Sequence, residues 1–151
     1  MTEEFDILNK SRALTLKVIN GLTIEQLNTI PKGFNNSIAW NIAHVVVTQQ
    51  LLCYKFSGLD CLVSDEMIEN FKKGTKPSYS ISTEEFEKIK EQFVSLPVKM
   101  EEDFNNGIFK NYNEYTTSVN VTLDGISRAV KFNNFHEGIH LGIILQLKKL
   151  V

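Results

Sequence analysis

Residues 35–58 read NNSIAWNIAHVVVTQQLLCYKFSG, and the fold turns on whether they form a helix or a strand. The run Val45-Val46-Val47 suits a strand, because β-branched side chains are stiff about χ1. The longer pattern decides otherwise. Ile38, Ile42, Val45, Leu52 and Phe56 recur with a 3.6-residue period over a length that ordinary strands do not reach. Ala, Gln and Leu on either side favour helix. Asn36 or Ser37 can accept from the free amides at its start, and Ser57-Gly58 can end it.

Outward from this helix, the same reasoning gives three more of comparable length. Thr2 to Asn20 carries Phe5, Leu8, Thr15, Val18 and Leu22 at roughly helical spacing, widened by Leu14 and Ile19, with Gly21 as its stop. Ser82 opens another through a capping box with Glu85; Phe86, Ile89, Phe93 and Leu96 form its apolar stripe, and Pro97 is expected to end it. The last starts near Thr122 or Asp124 and runs almost to Val151, with Ile126, Ala129, Asn133, His136, His140, Ile143, Leu147 and Leu150 along one face. A short helix capped by Ser64 and stopped by Gly74 lies in the connection after Gly58. Residues 99–121 show no sustained period and read as either a covering loop, with Tyr112 and Tyr115 as wall residues, or an irregular packed segment.

Each of four apolar stripes must be covered by another element. The expected fold is therefore all-α: an antiparallel four-helix bundle with short extra helices in the connections, one domain over residues 1–151.

Composition narrows the function. With 42% hydrophobic and 23% charged residues the chain can bury a real core, unlike a disordered one. The net charge of -2 arises from 16 basic and 18 acidic side chains with no long block of either sign. A basic face able to displace phosphate counterions is missing, so no nucleic-acid partner is expected. Lys72-Lys73 and Lys148-Lys149 read as solvated helix ends. No apolar run approaches the ~20 residues of a membrane span. The start MTEEFDILNK is acidic and polar where a secretory signal would be basic and then apolar. Cys53 and Cys61 alone cannot make a disulfide framework, and free thiols with a cytoplasmic location are expected.

The three histidines carry the chemistry. His136 and His140 lie about 6 Å apart along a helix and face the same way, so both can reach one ion at a metal–nitrogen distance of about 2.0–2.1 Å. A third ligand must come from elsewhere, and His44, near the middle of the second long helix, is the one other histidine. Three neutral imidazoles leave a divalent ion open to water or substrate, the catalytic rather than the structural pattern. Cys53 is a weaker fourth-ligand candidate, about 13 Å further along a straight helix axis. His136-Glu137-Gly138-Ile139-His140 also fits the H-E-x-x-H pattern of zinc proteases, but Gln146 stands where the longer protease motif places its third histidine. The plain alternative is a set of histidines satisfied by carbonyls or carboxylates. Against it stands the cost of burying three unpaired imidazoles on inward stripes, which a metal removes.

At NSIAWNIAHVV (37–47) and FHEGIHLGIILQL (135–147) the sequence resembles the DinB/YfiT-like superfamily of metal-dependent enzymes, four-helix-bundle proteins with a histidine on an early helix and a histidine pair on the last. The resemblance spans almost the whole chain. It implies His44, His136 and His140 as ligands of one divalent ion per chain, nickel or zinc, and a homodimer. Glu137 then becomes a hydrogen-bond acceptor for the ligands, a proton acceptor in catalysis, or a solvent-facing residue. Trp40 either orients the ligand helix or stacks on substrate. Gly142 is a close-packing or access residue. Relatives often carry a basic residue after the pair, where this chain has Leu141.

Relatives of known activity move low-molecular-weight thiols onto small electrophiles. The chemistry suits such a site, since a metal ion stabilises a thiolate at neutral pH without a protein cysteine. The leading expectation is a metal-dependent transferase acting on a small-molecule substrate, with Glu137 or a pocket residue among Trp40, Asn41, Thr48 and Asn133 positioning the reactants. Hydrolysis by an activated water is an alternative, and needs a base within reach. A non-enzymatic bundle in which the metal locks the core is another, and requires a closed site with no pocket.

Overall fold

A computed structural model describes residues 1–151. Three helices come first: α1 (Thr2–Ile19), α2 (Ile24–Asn28) and α3 (Ile38–Gln49). Ser37 is the cap of α3, accepting the Trp40 amide at 3.2 Å. Beyond Gln49 the chain stays helical but changes pitch, through a π turn at Gln50–Tyr54 and a 3-10 turn at Lys55–Ser57. Gly58, at φ +73°, ends it in the left-handed conformation that glycine adopts without penalty. The helical reading of 36–58 thus holds, with a widened turn where local π geometry often marks a functional site. The short α2, which the sequence periodicity does not reveal, is closed by a reciprocal capping box between Thr23 and Gln26.

After α4 (Asp65–Phe71), capped by Ser64, comes α5 (Thr83–Asn105), capped by Ser82. Pro97 does not end α5. A proline lacks the N–H that would serve the carbonyl four residues back, here Phe93. The Arg12 guanidinium fills that gap, donating from Nη1 to the Phe93 oxygen at 2.7 Å, and the helix continues eight residues past Pro97 to Asn105. A two-residue antiparallel ladder, β1 (Tyr115–Thr116) with β2 (Thr122–Leu123), then closes a hairpin that joins the stretch without period to the expected start of the last helix. The last helix, α6 (Ile126–Leu147), begins at Gly125 rather than at Thr122 or Asp124, because Thr122 is held in the hairpin.

The four long helices form a ring in which α1 packs on α5 and α6, and α3 packs on the same two. The matched residues give the directions. Along α1 and α5, Phe5 meets Phe104 and Arg12 meets Phe93, so these helices are antiparallel. Asn41 with His140 and His44 with His136 show the same for α3 and α6. The long connection 58–82 brings α5 back alongside α3 in the same direction, Gln49 touching Leu96 and Tyr54 touching Asp103. Two apolar clusters fill the interior, one around Ile42, Val46, Phe93 and Leu147, the other around Phe5, Leu8, Met100 and Val130.

Between these clusters lies a polar layer. Arg12, only 2% exposed, occupies the stripe position between Leu8 and Thr15 on α1. Its Nε and Nη2 donate to the two Glu137 oxygens at 3.0 and 2.7 Å, and Nη2 also reaches Gln49 Oε1 at 3.2 Å. One side chain thereby ties together all four long helices. A buried charge pair is tolerated only when its remaining hydrogen bonds are met, and this network meets most of them.

Candidate metal centre

The buried line of α6 runs through Ala129, Val130, Asn133, Glu137, Ile144 and Leu147. It is rotated by about one residue from the stripe read in the sequence. His136 and His140 therefore sit on its edge, partly buried and facing α3, instead of inside the core. There they meet His44, which is buried on α3. One nitrogen from each ring lies within 4.8 Å of the other two.

Hydrogen bonds fix which nitrogens converge. His44 Nδ1 is 2.6 Å from the Phe71 carbonyl. A carbonyl can only accept, so Nδ1 carries the proton and Nε2 presents its lone pair. Asn41 Nδ2 donates to the Ser37 carbonyl at 2.7 Å, which turns Asn41 Oδ1 toward His140 Nδ1, also at 2.7 Å. His140 Nδ1 accordingly donates, and its Nε2 points at His136 Nε2 across 3.1 Å. Two nitrogens about 2.0–2.1 Å from one ion would span such an edge at an angle slightly below tetrahedral. His136 Nδ1 is buried without a partner.

Electrostatics favour the same reading. Burial pushes His136 down to about 3 and His140 to about 4, with repulsion between the neighbouring rings adding to the effect. Burial also lowers His44, opposed by its bond to the Phe71 carbonyl. All three rings are neutral at physiological pH, so their lone pairs are free to bind a cation. His44 and His140 each present an Nε2 lone pair, His136 can turn its own to the same point by carrying its proton on Nδ1, and the residues fit a three-histidine metal site.

The other residues singled out in the sequence divide. Trp40 is buried and stacks on His44 with ring centroids 4.6 Å apart and an interplanar angle of 10°, so it orients the ligand ring and does not face the cavity. Asn41 orients His140, as described. Thr48 borders the open side, its hydroxyl 3.3 Å from His44 Nε2. Asn133 is turned into the core, where Nδ2 donates to Glu137 Oε1 at 2.8 Å. Glu137 is neither solvent-facing nor directed at the histidines: Arg12 engages both oxygens and Asn133 one of them. Cys53 is fully buried among Phe5, Leu8 and Met100, remote from the three-ring cluster. A side chain at Gly142 would meet open space, so no close packing requires glycine there.

A cavity of about 370 Å³ opens on all three histidines. One wall is the line His44, Thr48, Leu51, Leu52, Lys55 and Phe56; the opposite wall is Phe132, Phe135 and Ile139 of α6. The hairpin covers it with Tyr115 and Thr117 to Val119, and Lys73 stands at the segment following α4. Tyr115 is a wall residue as expected, while Tyr112 turns away and donates its hydroxyl to the Leu52 carbonyl. Lys73 is solvent-exposed, as read from the sequence, and stands at the cavity mouth, while Lys72 pairs with Glu69.

Sequence reasoning also passed over Arg12. Its signal was positional, since it lies four residues after Leu8 and three before Thr15 on the inward stripe of α1.

No helix is long and apolar enough to cross a membrane. The search of curated proteins finds no match. The model of the DinB superfamily matches residues 7–144, covering every element from most of α1 through the histidine pair of α6. The chain belongs to the DinB superfamily, with a His44, His136 and His140 cluster able to hold a metal ion.

Proposed function

We propose that this protein is a metal-dependent enzyme that binds one divalent ion, nickel or zinc, on His44, His136 and His140, and transfers a low-molecular-weight thiol to a small electrophile. The observation that carries an enzymatic reading is the cavity: it touches all three imidazoles, so an ion held there would keep an open face. A metal serving only to lock the core would be enclosed. An ion so placed would lower the pKa of a thiol or water that reached it. The chain's own residues supply the rest. Phe71 and Asn41 fix two ring tautomers, Trp40 holds the His44 plane, and the apolar walls displace water from the reactants.

Of the two acid–base readings, thiol transfer is favoured over hydrolysis. Hydrolysis asks for a base within hydrogen-bond reach, and Glu137 is committed to Arg12 and Asn133. A thiol needs less help to ionise. Glu137 is better assigned as a positioning residue that anchors α6 between its two ligands. The wider reading includes a cytoplasmic homodimer, supported by two unpaired cysteines for the compartment and by family resemblance for the dimer.

The single tryptophan provides the assay. Titration with Ni²⁺ or Co²⁺ is expected to quench Trp40 emission with a stoichiometry of one, and His136→Ala and His140→Ala are expected to abolish the quenching while the helical circular dichroism persists. Full quenching in either variant would remove that residue from the site. Thiol consumption with simple electrophiles, present with metal and absent after chelation, then tests the reaction.

A further inference from the structure

The cavity above the imidazoles has a charge pattern that the metal-site reading does not use. Two lysines, Lys55 and Lys73, line it, and no acidic residue does. Both are solvent-exposed at its mouth, so their ammonium groups are free to meet a ligand there. Neither has a carboxylate within ion-pair distance. In a chain with an overall excess of acid, two unpaired cations facing one acid-free cavity mark a place for negative charge.

Local structure puts them there. Lys55 begins the 3-10 turn after the π turn, seven residues beyond Thr48 and on the same line as His44. Lys73 follows Phe71, whose carbonyl is held by His44 Nδ1, so the contact that orients the ligand ring also brings the second lysine over the site. Between the lysines and the imidazoles the walls are apolar: Phe56, Tyr115 and Phe132, with Phe135 more than half exposed at the rim. Phe56 and Tyr115 stack at 4.5 Å, joining the hairpin to the cavity wall.

We propose that this cavity binds a small amphipathic anion, its apolar body among Phe56, Tyr115, Phe132 and Phe135, its carboxylate or similar group on Lys55 and Lys73, and its other end at the three imidazoles. The assignment rests on the proposed function for the reaction but not for the anion site, which the chain forms without metal.

The test compares two probes of equal length, heptanoate and heptan-1-ol, by saturation-transfer NMR on metal-free and on Co²⁺-loaded protein. Heptanoate is expected to bind metal-free protein at least about tenfold more tightly than the alcohol, with the difference shrinking as salt is raised. In the Lys55→Gln/Lys73→Gln double variant the two probes are expected to bind alike, with the alcohol's affinity unchanged. Lys72→Gln, one position away but outside the cavity, should retain the preference. Equal affinities in the metal-free wild type, or a preference that survives in the double variant, would overturn the anion site. A preference seen only with Co²⁺ and indifferent to both lysines would overturn it too, by placing the carboxylate on the metal. Absence of Co²⁺ binding with the lysine-dependent preference intact would instead sink the metal-enzyme reading alone.

Discussion

The guanidinium of Arg12 grips the carboxylate of Glu137 through two hydrogen bonds, at 2.7 and 3.0 Å, across 125 residues of sequence. Glu137 adjoins His136 in sequence, yet both its oxygens are turned to Arg12 and away from the histidine cluster. Its role is to join α1 to α6 at the level of the histidines. Breaking a buried pair by removing one partner leaves the other charge uncompensated, at a cost of about 3–5 kcal/mol. Arg12→Met is expected to destabilise by that amount in urea denaturation. Arg12→Met combined with Glu137→Leu is expected to recover a substantial part. A double variant as unstable as the single would show that the charge itself is not what the network compensates.

Pro97 and Arg12 are coupled through the Phe93 carbonyl. Pro97→Ala restores an N–H that can serve this oxygen within the helix. Arg12→Met is therefore expected to cost at least about 1 kcal/mol less in the Pro97→Ala background, the net worth of one hydrogen bond. Additive effects in the double-mutant cycle would sever the link between the two residues.

Asn41 touches His140 and not the cavity. Losing such an orienting bond generally costs 10- to 100-fold in metal affinity. Asn41→Ala is expected to shift the Ni²⁺ titration of Trp40 emission by that factor while stoichiometry stays at one. Unaltered affinity would show that packing alone holds the ring.

Acid should weaken the metal-free protein early. The unfolded chain protonates its histidines near 6.5, whereas burial holds His136 near about 3 and His140 near about 4. Between those limits the unfolded state binds more protons, so stability rises with pH from about 4 to about 6.5 and levels off above. Melting temperatures of metal-free protein are expected to fall through this window as pH is lowered, and His136→Gln should flatten the dependence. The same slope in wild type and variant would show that the ring charges freely when folded.

Much of the architecture was legible in the residues. The 3.6-residue periods located four long helices, and Ser37 and Ser82 marked two of their starts and Ser64 that of the short α4, because capping is a local exchange between a side chain and nearby amides. The histidine triad was legible too: an i, i+4 pair must share a helix face, and one further histidine remained to complete it. What periodicity could not supply was rotation and company. A shift of about one residue put Glu137 in the core and the histidine pair at its edge, a difference set by which neighbours cover the helix. Pro97 read as a stop because the donor replacing its missing N–H comes from Arg12, far away in sequence. That the solvated Lys73 stands at a cavity mouth could not be read, because that cavity exists only once α4, the hairpin and α6 have come together. Local backbone chemistry is written in adjacent residues, whereas a buried charge's partner and a cavity's lining are settled by contacts between distant ones.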